Sequence, residues 1–496
     1  MLLISCYNVY MTNEISKKDT ENEINEQETL IKEEKLIDEK ESIIKEEVKL
    51  IDKKESLLQE EEKLIEKKES LLEKGEKYIK EGQQYIEKLG PGLITGAADD
   101  DPSGIATYSQ TGAQYGTSLI WLAAWTFPLM AIIQEMCARI ALVTGRGLAA
   151  NIKHSYSRKI LLACTMILFI ANTLNIGADL GAMAKGFQLI IPSLPFFLLV
   201  IGFGILGLIL QIFVPYQKYS KYLKWLVISL FSYIATGLII HMNWPILLKD
   251  SIIPHLTFSK TQILLITGIL GTTISPYLFF WQTSQELEEE IRDGKTTVHL
   301  RRGTNPMEIK QMRKDVWTGM FLSNLVMFFI IAVCASVLFK NGITNIATAN
   351  DAALALAPFA GKWATTLFAI GIIGTGMLAI PVLAGSASYA ISESFGWKEG
   401  LYRKLKEARA FYGIIAISIL IGIIINFIGI DPIKALIYSA IANGIVAPII
   451  LIFIVHISGN HKIMGHYKNS RISNIIGWVT TILMSITAIA AIISLF

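Results

Sequence analysis

Residues 90–116 read GPGLITGAADDDPSGIATYSQTGAQYG, a stretch without lysine or arginine in which three consecutive aspartates precede a proline. Pro102 removes a backbone donor and Gly104 lowers helix preference, so a straight helix is not predicted. At membrane depth, the carbonyls freed around Ala98 are tolerated only where they line a cavity or face protein. Carboxylates beside free carbonyls suit a hard cation, and we predict Asp101, next to the proline, as the first ligand.

The two preceding acids, Asp99 and Asp100, face other sides of the helix. A charge at the bilayer centre costs about 2.5–3.5 kcal/mol, so three in a row are expected to have a use. One of the two is expected to serve the entry vestibule and the other to have a structural partner. The alternative is that residues 99–101 are a loop between two short helices, with Pro102 an ordinary kink.

A matching break stands in residues 271–285, GTTISPYLFFWQTSQ, at Pro276. Interrupted segments at equivalent places in two halves indicate an inverted-repeat transporter with its substrate site at the midplane. We therefore predict five-plus-five repeat halves at about 89–245 and 260–456, with broken helices 1 and 6 and one further span at about 473–495.

The whole chain has the composition of a membrane protein. Hydrophobic residues make up 52% of its 496 residues and charged residues only 18%, against roughly 25% in a typical soluble domain. A run of about 20 apolar residues can cross a bilayer as a helix. We predict an all-α polytopic membrane protein with eleven transmembrane helices. The runs are 90–114, 117–143, 159–190, 192–214, 222–243, 262–287, 316–339, 361–391, 411–430, 433–456 and 473–495.

Lysine and arginine concentrate in every second loop. Because short basic loops stay on the cytoplasmic side, we predict a multi-pass protein of the cell membrane with a cytoplasmic N-terminus and an external C-terminus. The basic positions are Arg146, Lys153, Arg158, Lys159, Lys218, Lys221, Lys224, Arg292, Arg301, Arg302, Arg313, Lys314, Arg403, Lys404, Lys406, Arg409, Lys462, Lys468 and Arg471.

A charged arm precedes the membrane part. Residues 1–27 are polar and predicted to be disordered, whereas 28–88 contain a fourteen-residue repeat, KLIDEKESIIKEEV and its variants, with apolar pairs at helical spacing. The second apolar row that a coiled coil needs is Lys or Glu almost throughout. The arm is therefore either a solvated cytosolic helix or a weak coil through which the chain self-associates.

Several motifs resemble the NRAMP family of divalent-metal transporters, over nearly all of residues 89–456. The resemblance implies the inverted repeat and metal import by alternating access. The matching motifs are GPG at 90–92, Asp101-Pro102 followed by GAQYGTSLIWL, QEMCARIALVTGRGLA at 134–149 and GSASYAISESF at 385–395.

The metal site implied by the resemblance is only partly kept. The family uses an Asp and an Asn from the first break, and a Met and a backbone carbonyl from the second. Asp101 matches the Asp, with the freed carbonyl of Ala98 nearby. Gly104 stands at the Asn position, Ser275 at the Met position and Thr272 at the carbonyl position.

These losses favour a hard ion. A thioether selects transition metals, whereas hydroxyl, carbonyl and carboxylate oxygens suit magnesium and calcium. The smaller side chains also leave room for an ion that keeps several waters, which is typical of magnesium. The sequence is therefore most similar to the NRAMP-related magnesium transporters, a branch expected to carry magnesium and often manganese.

Proton coupling is not predicted, because Tyr277 and Gln282 stand where the family has two histidines, and neither titrates near neutral pH. Membrane potential would suffice for a divalent cation. Asp179 in the third span and Asn443 in the tenth, with Asp99, Asp100, Tyr277 and Gln282, are further candidates for the pathway or for positions behind the ligands.

Nearer the helix ends, Glu135 and Arg139 are expected to form an ion pair on one helix face. Residues 286–290, an acidic cluster, are expected to be solvated.

Other functions stay open at this point. They are a proton-coupled manganese or iron importer, a sodium-dependent solute symporter, and a non-transporting sensor or scaffold that uses the repeat arm. Four scattered cysteines indicate neither a disulfide framework nor a zinc cluster. No cofactor, enzyme activity or nucleic-acid partner is predicted, so the partners are the divalent cation and the lipid bilayer.

Overall fold

The computed structural model describes residues 2–87, 90–214 and 231–495. Contacts divide the chain into two units, Met1–Lys88 and Leu89–Phe496. The basic residues Lys218, Lys221 and Lys224 lie outside the described residues, as do positions 222–230 of the predicted fifth span.

The first unit is one helix, α1 (Leu2–Glu87). Residues 2–27, for which the composition predicted disorder, belong to this helix, which fits the absence of Gly and Pro before Gly75. The apolar pairs of the repeats up to Leu64 and Ile65 are exposed; Leu50 and Ile51, for example, expose 66% and 57% of their surface. The arm thus presents a row of apolar residues without burying it.

The second unit consists of helices joined by loops, with no strand among its described residues. Its helices are α2 (Pro91–Asp99), α3 (Pro102–Tyr115), α4 (Trp121–Thr144), α5 (Leu148–Ser155), α6 (Arg158–Ile190), α7 (Phe196–Phe213), α8 (Phe231–Ile239), α9 (Trp244–Asp250), α10 (Lys260–Thr273), α11 (Pro276–Arg292), α12 (Val298–Arg301), α13 (Pro306–Val337), α14 (Ala349–Ala353), α15 (Ala357–Ala360), α16 (Ala364–Phe395), α17 (Arg409–Ile425), α18 (Pro432–Gly459), α19 (His461–Met464) and α20 (Arg471–Leu495).

Eight helical segments among the described residues are long and apolar enough to cross a membrane, and α17 is a shorter apolar helix. The all-helical membrane architecture is confirmed. The number of eleven crossings stays a prediction, because several predicted spans correspond to short or partly described helices such as α8.

Helix packing follows the two predicted halves. The first span, α2 and α3, packs on α13, and the sixth span packs through α11 on α4. The third span, α6, packs on the eighth, α16. Exchanging the two halves converts the first pair into the second and leaves the third unchanged, which is the pattern an inverted repeat predicts.

The first half-helix is fixed closely to α13. A Cβ at Gly96 would lie 2.3 Å from the carbonyl oxygen of Gly319, so only glycine permits this approach. Asp315, also on α13, accepts hydrogen bonds from the backbone N–H groups of Gly92 (2.6 Å) and Leu93 (3.1 Å). These contacts hold α2 by its N-terminal end, where its free N–H groups need partners.

The described basic loops gather at one end of the second unit. Gly303 N donates to the carbonyl of Val143 (3.1 Å), and the Tyr467 hydroxyl donates to the carbonyl of Thr304 (3.1 Å). These bonds join the loops that follow α4, α11 and α18.

The loops poor in Lys and Arg meet at the opposite end. The hydroxyls of Tyr115 and Thr261 lie 2.7 Å apart, and Thr117 donates to Asp250 (2.5 Å). The two helix breaks lie between these ends in sequence and in space.

Candidate metal-transport site

The two predicted helix breaks are present. α2 ends at Asp99 and α3 begins at Pro102, while α10 ends at Thr273 and α11 begins at Pro276. In each case a proline starts the second half-helix, where its missing N–H is not needed. The C-terminal ends of α2 and α10 leave carbonyl oxygens without a partner in their own helix, and such ends attract cations.

Asp101 occupies the N-cap position of α3. Its Oδ1 accepts hydrogen bonds from Gly104 N (2.7 Å) and Ser103 Oγ (2.6 Å). Its Oδ2 faces the third span and accepts from Asn175 Nδ2 (2.8 Å). One carboxylate oxygen therefore holds the helix start, while the other is directed away from it.

Two tyrosines link the breaks to each other. The Tyr277 hydroxyl, on α11, donates to the carbonyl of Ala98 at the end of α2 (3.1 Å). Thr272 Oγ1, at the end of α10, donates to the Tyr108 hydroxyl on α3 (3.1 Å). Ala98, at the first break, is thus bonded to a tyrosine that follows the second break. Thr272, at the second break, is bonded to a tyrosine that follows the first, so the two breaks lie at one site.

Ser275 forms its side-chain contacts within the second break. Its Oγ lies within hydrogen-bond distance of the carbonyl oxygens of Gly271 (2.5 Å) and Thr272 (2.6 Å), which share its one proton. The hydroxyl and carbonyl that were predicted as ligands are therefore bonded to each other, which a thioether could not do. Asp101, Thr272 and Ser275 each expose at most 1% of their surface, so the site is closed to solvent.

Gly104 donates its backbone N–H to Asp101, and the space beside it is not empty. A Cβ at Gly104 would lie 3.3 Å from both the Asp99 carbonyl oxygen and the Tyr108 ring. A larger residue there would require Tyr108 to shift.

The neighbouring acids Asp99 and Asp100 have different surroundings. Asp99 Oδ2 accepts from Ser323 Oγ on α13 (2.6 Å). Asp100 Oδ1 is buried with no hydrogen-bond partner among the described residues. Asp179 lies near the site on α6, with its Oδ2 3.4 Å from Asn175 Nδ2.

Two predicted pathway residues have no hydrogen bond to the site within the described chain. Gln282 Nε2 donates to Glu286 Oε1 (2.8 Å), on the next turn of α11. Asn443 is buried on α18, and neither of its side-chain polar atoms has a partner among the described residues.

The acids at the end of α11 are buried instead of solvated, contrary to the expectation from sequence. Glu286, Glu288 and Glu290 expose 5%, 6% and 8% of their surface. The Glu290 carboxylate pairs with Lys295 (2.7 Å), and this bond raises the pKa of the lysine. Contacts with neighbouring elements cover this helix end, which the local sequence does not reveal.

A second group of acids meets at the same end of the unit. Glu288 accepts from the Tyr389 hydroxyl (2.6 Å), and Glu393 accepts from Ala150 N (2.8 Å). Burial, with the nearby carboxylates Glu393 and Glu288, raises the pKa of Glu399 in the following loop to about 10. These groups tie loops together at this end of the molecule.

The ion pair predicted on α4 is confirmed. Glu135 Oε1 accepts from Arg139 (3.2 Å) and from Arg313 on α13 (2.9 Å), and its Oε2 accepts from Trp317 Nε1 (3.0 Å). The pair therefore joins α4 to α13.

Sequence reasoning did not assign Tyr108, Ser103, Ser323 or Asn175 to the site. Asn175 lies four residues before Asp179, so one helix face presents both, which is the signal that could have found it. In the described residues no group of three or more His, Cys, Asp or Glu side chains is arranged to hold a metal ion. A cation at this site would therefore depend on one or two carboxylates, neutral oxygens and water.

The broken helices and the paired packing of two halves define the fold of a secondary transporter. The chain belongs to the Nramp family, described as Natural resistance-associated macrophage protein-like, whose family model matches residues 92–494.

Solved structures have the same fold at low sequence identity. The Eremococcus coleocola manganese transporter, in complex with an aromatic bis-isothiourea substituted compound, is 18% identical with a TM-score of 0.68, over 82% of this chain and 86% of that one. MHP1, a nucleobase-cation-symport-1 family transporter in a closed conformation, is 14% identical with a TM-score of 0.50, over 82% and 91%.

Proposed function

We propose that this protein imports divalent metal cations, magnesium first and manganese also, by alternating access and without proton coupling. The observation that carries the proposal is Asp101 Oδ2, a buried carboxylate oxygen at the first helix break that accepts a hydrogen bond from Asn175 Nδ2. Membership of the Nramp family supports divalent-metal transport in general. The choice of magnesium rests on the ligand chemistry.

Ser275 supports a hard ion. The Ser275 hydroxyl, which lies against the carbonyls of Gly271 and Thr272, supplies oxygen where a thioether would supply sulfur. Magnesium is bound by oxygen and releases its waters reluctantly, so one or two carboxylates and retained water suit it. In this proposal Asp101 is the direct ligand, while the oxygens of Ala98, Thr272 and Ser275, with the backbone at Gly104, surround the ion.

The absence of proton coupling rests on the second break. Tyr277 donates its hydroxyl to Ala98, and Gln282 is bonded to Glu286, so neither position offers a group that titrates near neutral pH. The membrane potential contributes about 2.3 kcal/mol per charge per 100 mV, or about twice that for a divalent ion. That driving force is sufficient for import.

A second candidate function is proton-coupled manganese import. The observation that favours it is Asp179, a further buried carboxyl group near Asp101. The similar solved structure of a manganese transporter also fits this alternative. The two candidates differ in whether protons accompany the metal.

The orientation and the arm are part of the same proposal. We propose that the end with the basic loops faces the cytoplasm, with the N-terminus inside and the C-terminus outside. The exposed apolar pairs up to Leu64 and Ile65 support weak self-association of the arm, residues 28–88.

The test is uptake by purified protein in liposomes, comparing magnesium, manganese and calcium with and without a pH gradient at fixed potential. The proposal expects magnesium and manganese uptake that is independent of the pH gradient. Uptake of manganese that requires the gradient would favour the second candidate. No uptake of any divalent ion would favour a sensor or scaffold.

A further inference from the structure

We propose that the third span supplies a second carboxylate to the cation site: Asp179 binds the cation together with Asp101, and Asn175 bridges the two carboxylates when the site lacks a cation. This inference rests on the proposed function, because it names a further ligand of the same site.

The geometry places one amide group between two acids. Asn175 Nδ2 lies 2.8 Å from Asp101 Oδ2 and 3.4 Å from Asp179 Oδ2. The second contact is long for a hydrogen bond, so Asp179 is close but weakly held. Asn175 and Asp179 are one turn apart on α6 and are fully buried.

Two oxygens at this place lack partners. Asn175 Oδ1 and Asp179 Oδ1 have no hydrogen-bond partner among the described residues. Buried polar atoms in native proteins are almost always bonded, and one without a partner calls for an explanation. Amide and carboxylate oxygens are both ligands that magnesium and calcium accept.

A cation would also balance the charge of the two carboxylates. An amide NH₂ carries only a partial positive charge, which offsets two buried carboxylates poorly. The nearest lysine on the same helix, Lys185, lies over the Phe196 ring instead, 5.2 Å from its centroid. A divalent ion would match the two charges and bind to the oxygens that the amide now bridges.

Cation entry would then displace Asn175 Nδ2 from Asp101. Rotation of the amide by about half a turn brings Oδ1 to the ion in place of Nδ2, because the two ends of an amide differ only in donor and acceptor character. Asn175 is thus a positioning residue in the empty site and a neutral ligand in the filled one.

The test uses the full chain in detergent and Mn²⁺ as the probe, with free Mn²⁺ measured by electron paramagnetic resonance. Asp179→Asn should weaken Mn²⁺ binding by about tenfold or more, as expected when a ligand or its direct partner is lost. Asp351→Asn, a carboxylate outside the site that caps a short helix, should leave binding unchanged and is the matched control.

An exchanged variant separates charge from folding. Asn175→Asp combined with Asp179→Asn moves the carboxylate by one turn on the same helix face, so it should restore most of the binding lost in Asp179→Asn. Asp179→Glu, which keeps the charge in place, should also bind more tightly than Asp179→Asn. A purely structural role for Asp179 would produce neither recovery.

The outcomes distinguish this inference from the proposed function. If Asp101→Asn loses binding while Asp179→Asn binds within about twofold of the parent, the second ligand is wrong and the transport site stands. If neither the exchanged variant nor Asp179→Glu improves on Asp179→Asn, the shared site is also wrong. If Asp101→Asn itself binds Mn²⁺ normally, the proposed function fails.

Discussion

Replacing Ser275 by methionine tests how the second break sets ion preference. In the structure, Ser275 Oγ lies 2.5 Å from the Gly271 carbonyl oxygen and 2.6 Å from that of Thr272. Methionine removes both contacts, frees the Thr272 carbonyl and places a thioether in the break. The change therefore adds a soft sulfur ligand. At the same time it leaves the Thr272 carbonyl, a hard ligand, without its hydrogen bond.

The magnitude has two parts. Losing a buried hydroxyl bond destabilises the metal-free protein by about 0.5–1.5 kcal/mol, and leaving a carbonyl unsatisfied adds about 1–3 kcal/mol. Gain of a sulfur ligand favours manganese and cadmium over magnesium. We expect a shift in preference of about tenfold, equivalent to roughly 1.4 kcal/mol.

The assay is competitive uptake in liposomes, with manganese and cadmium each measured against magnesium. Ser275→Ala is the matched control, because it removes the same hydroxyl without adding sulfur. We expect Ser275→Ala to lower thermal stability but keep the ion ranking, and Ser275→Met to change the ranking. Adding Gly104→Asn should strengthen the shift only if Tyr108 moves, since a Cβ at Gly104 lies 3.3 Å from its ring.

Equal ion rankings for the parent, Ser275→Ala and Ser275→Met, in folded proteins, would refute the argument from ligand softness. A changed ranking in Ser275→Ala but not in Ser275→Met would also refute this argument. It would show that the hydroxyl, and not the sulfur, sets selectivity.

Three further predictions concern other parts of the chain. Asp315→Ala removes the carboxylate that binds Gly92 and Leu93 N–H, so it should destabilise the protein by about 1–3 kcal/mol; an unchanged melting temperature would contradict this anchoring of α2. Magnesium uptake at clamped potential should not acidify the liposome interior, measured with a trapped pH dye, and acidification that follows metal entry would contradict uncoupled transport. Deletion of residues 1–80 should leave the order of magnesium, manganese and calcium uptake unchanged at equal protein density, and a new order would show that the arm affects permeation.

The breaks could be predicted from sequence because their causes are local. Pro102 and Pro276 cannot continue a helix, and three aspartates in an apolar run need a polar site. Both breaks begin their second half-helix at the predicted proline. The predicted ion pair of Glu135 and Arg139 is likewise a contact within one helix.

The contacts across the site could not be predicted, because they join residues far apart in sequence. Tyr108 meets Thr272, and Asn175 meets Asp101, through the packing of separate helices. The acids at 286–290 were expected to be solvated because a charged helix end usually is, yet loops and neighbouring helices cover them. The local sequence predicts neither the contacts across the site nor the elements that cover residues 286–290.

Uptake by Asp101→Asn tests the central claim most directly. Asparagine caps a helix about as well as aspartate, so the bond to Gly104 N and the start of α3 should persist while the charge is lost. With equal amounts of folded protein in liposomes, at fixed potential, we predict that magnesium and manganese uptake fall by about tenfold or more. Uptake of both ions at the parent rate would contradict the assignment of Asp101 as the ligand and, with it, the proposed site.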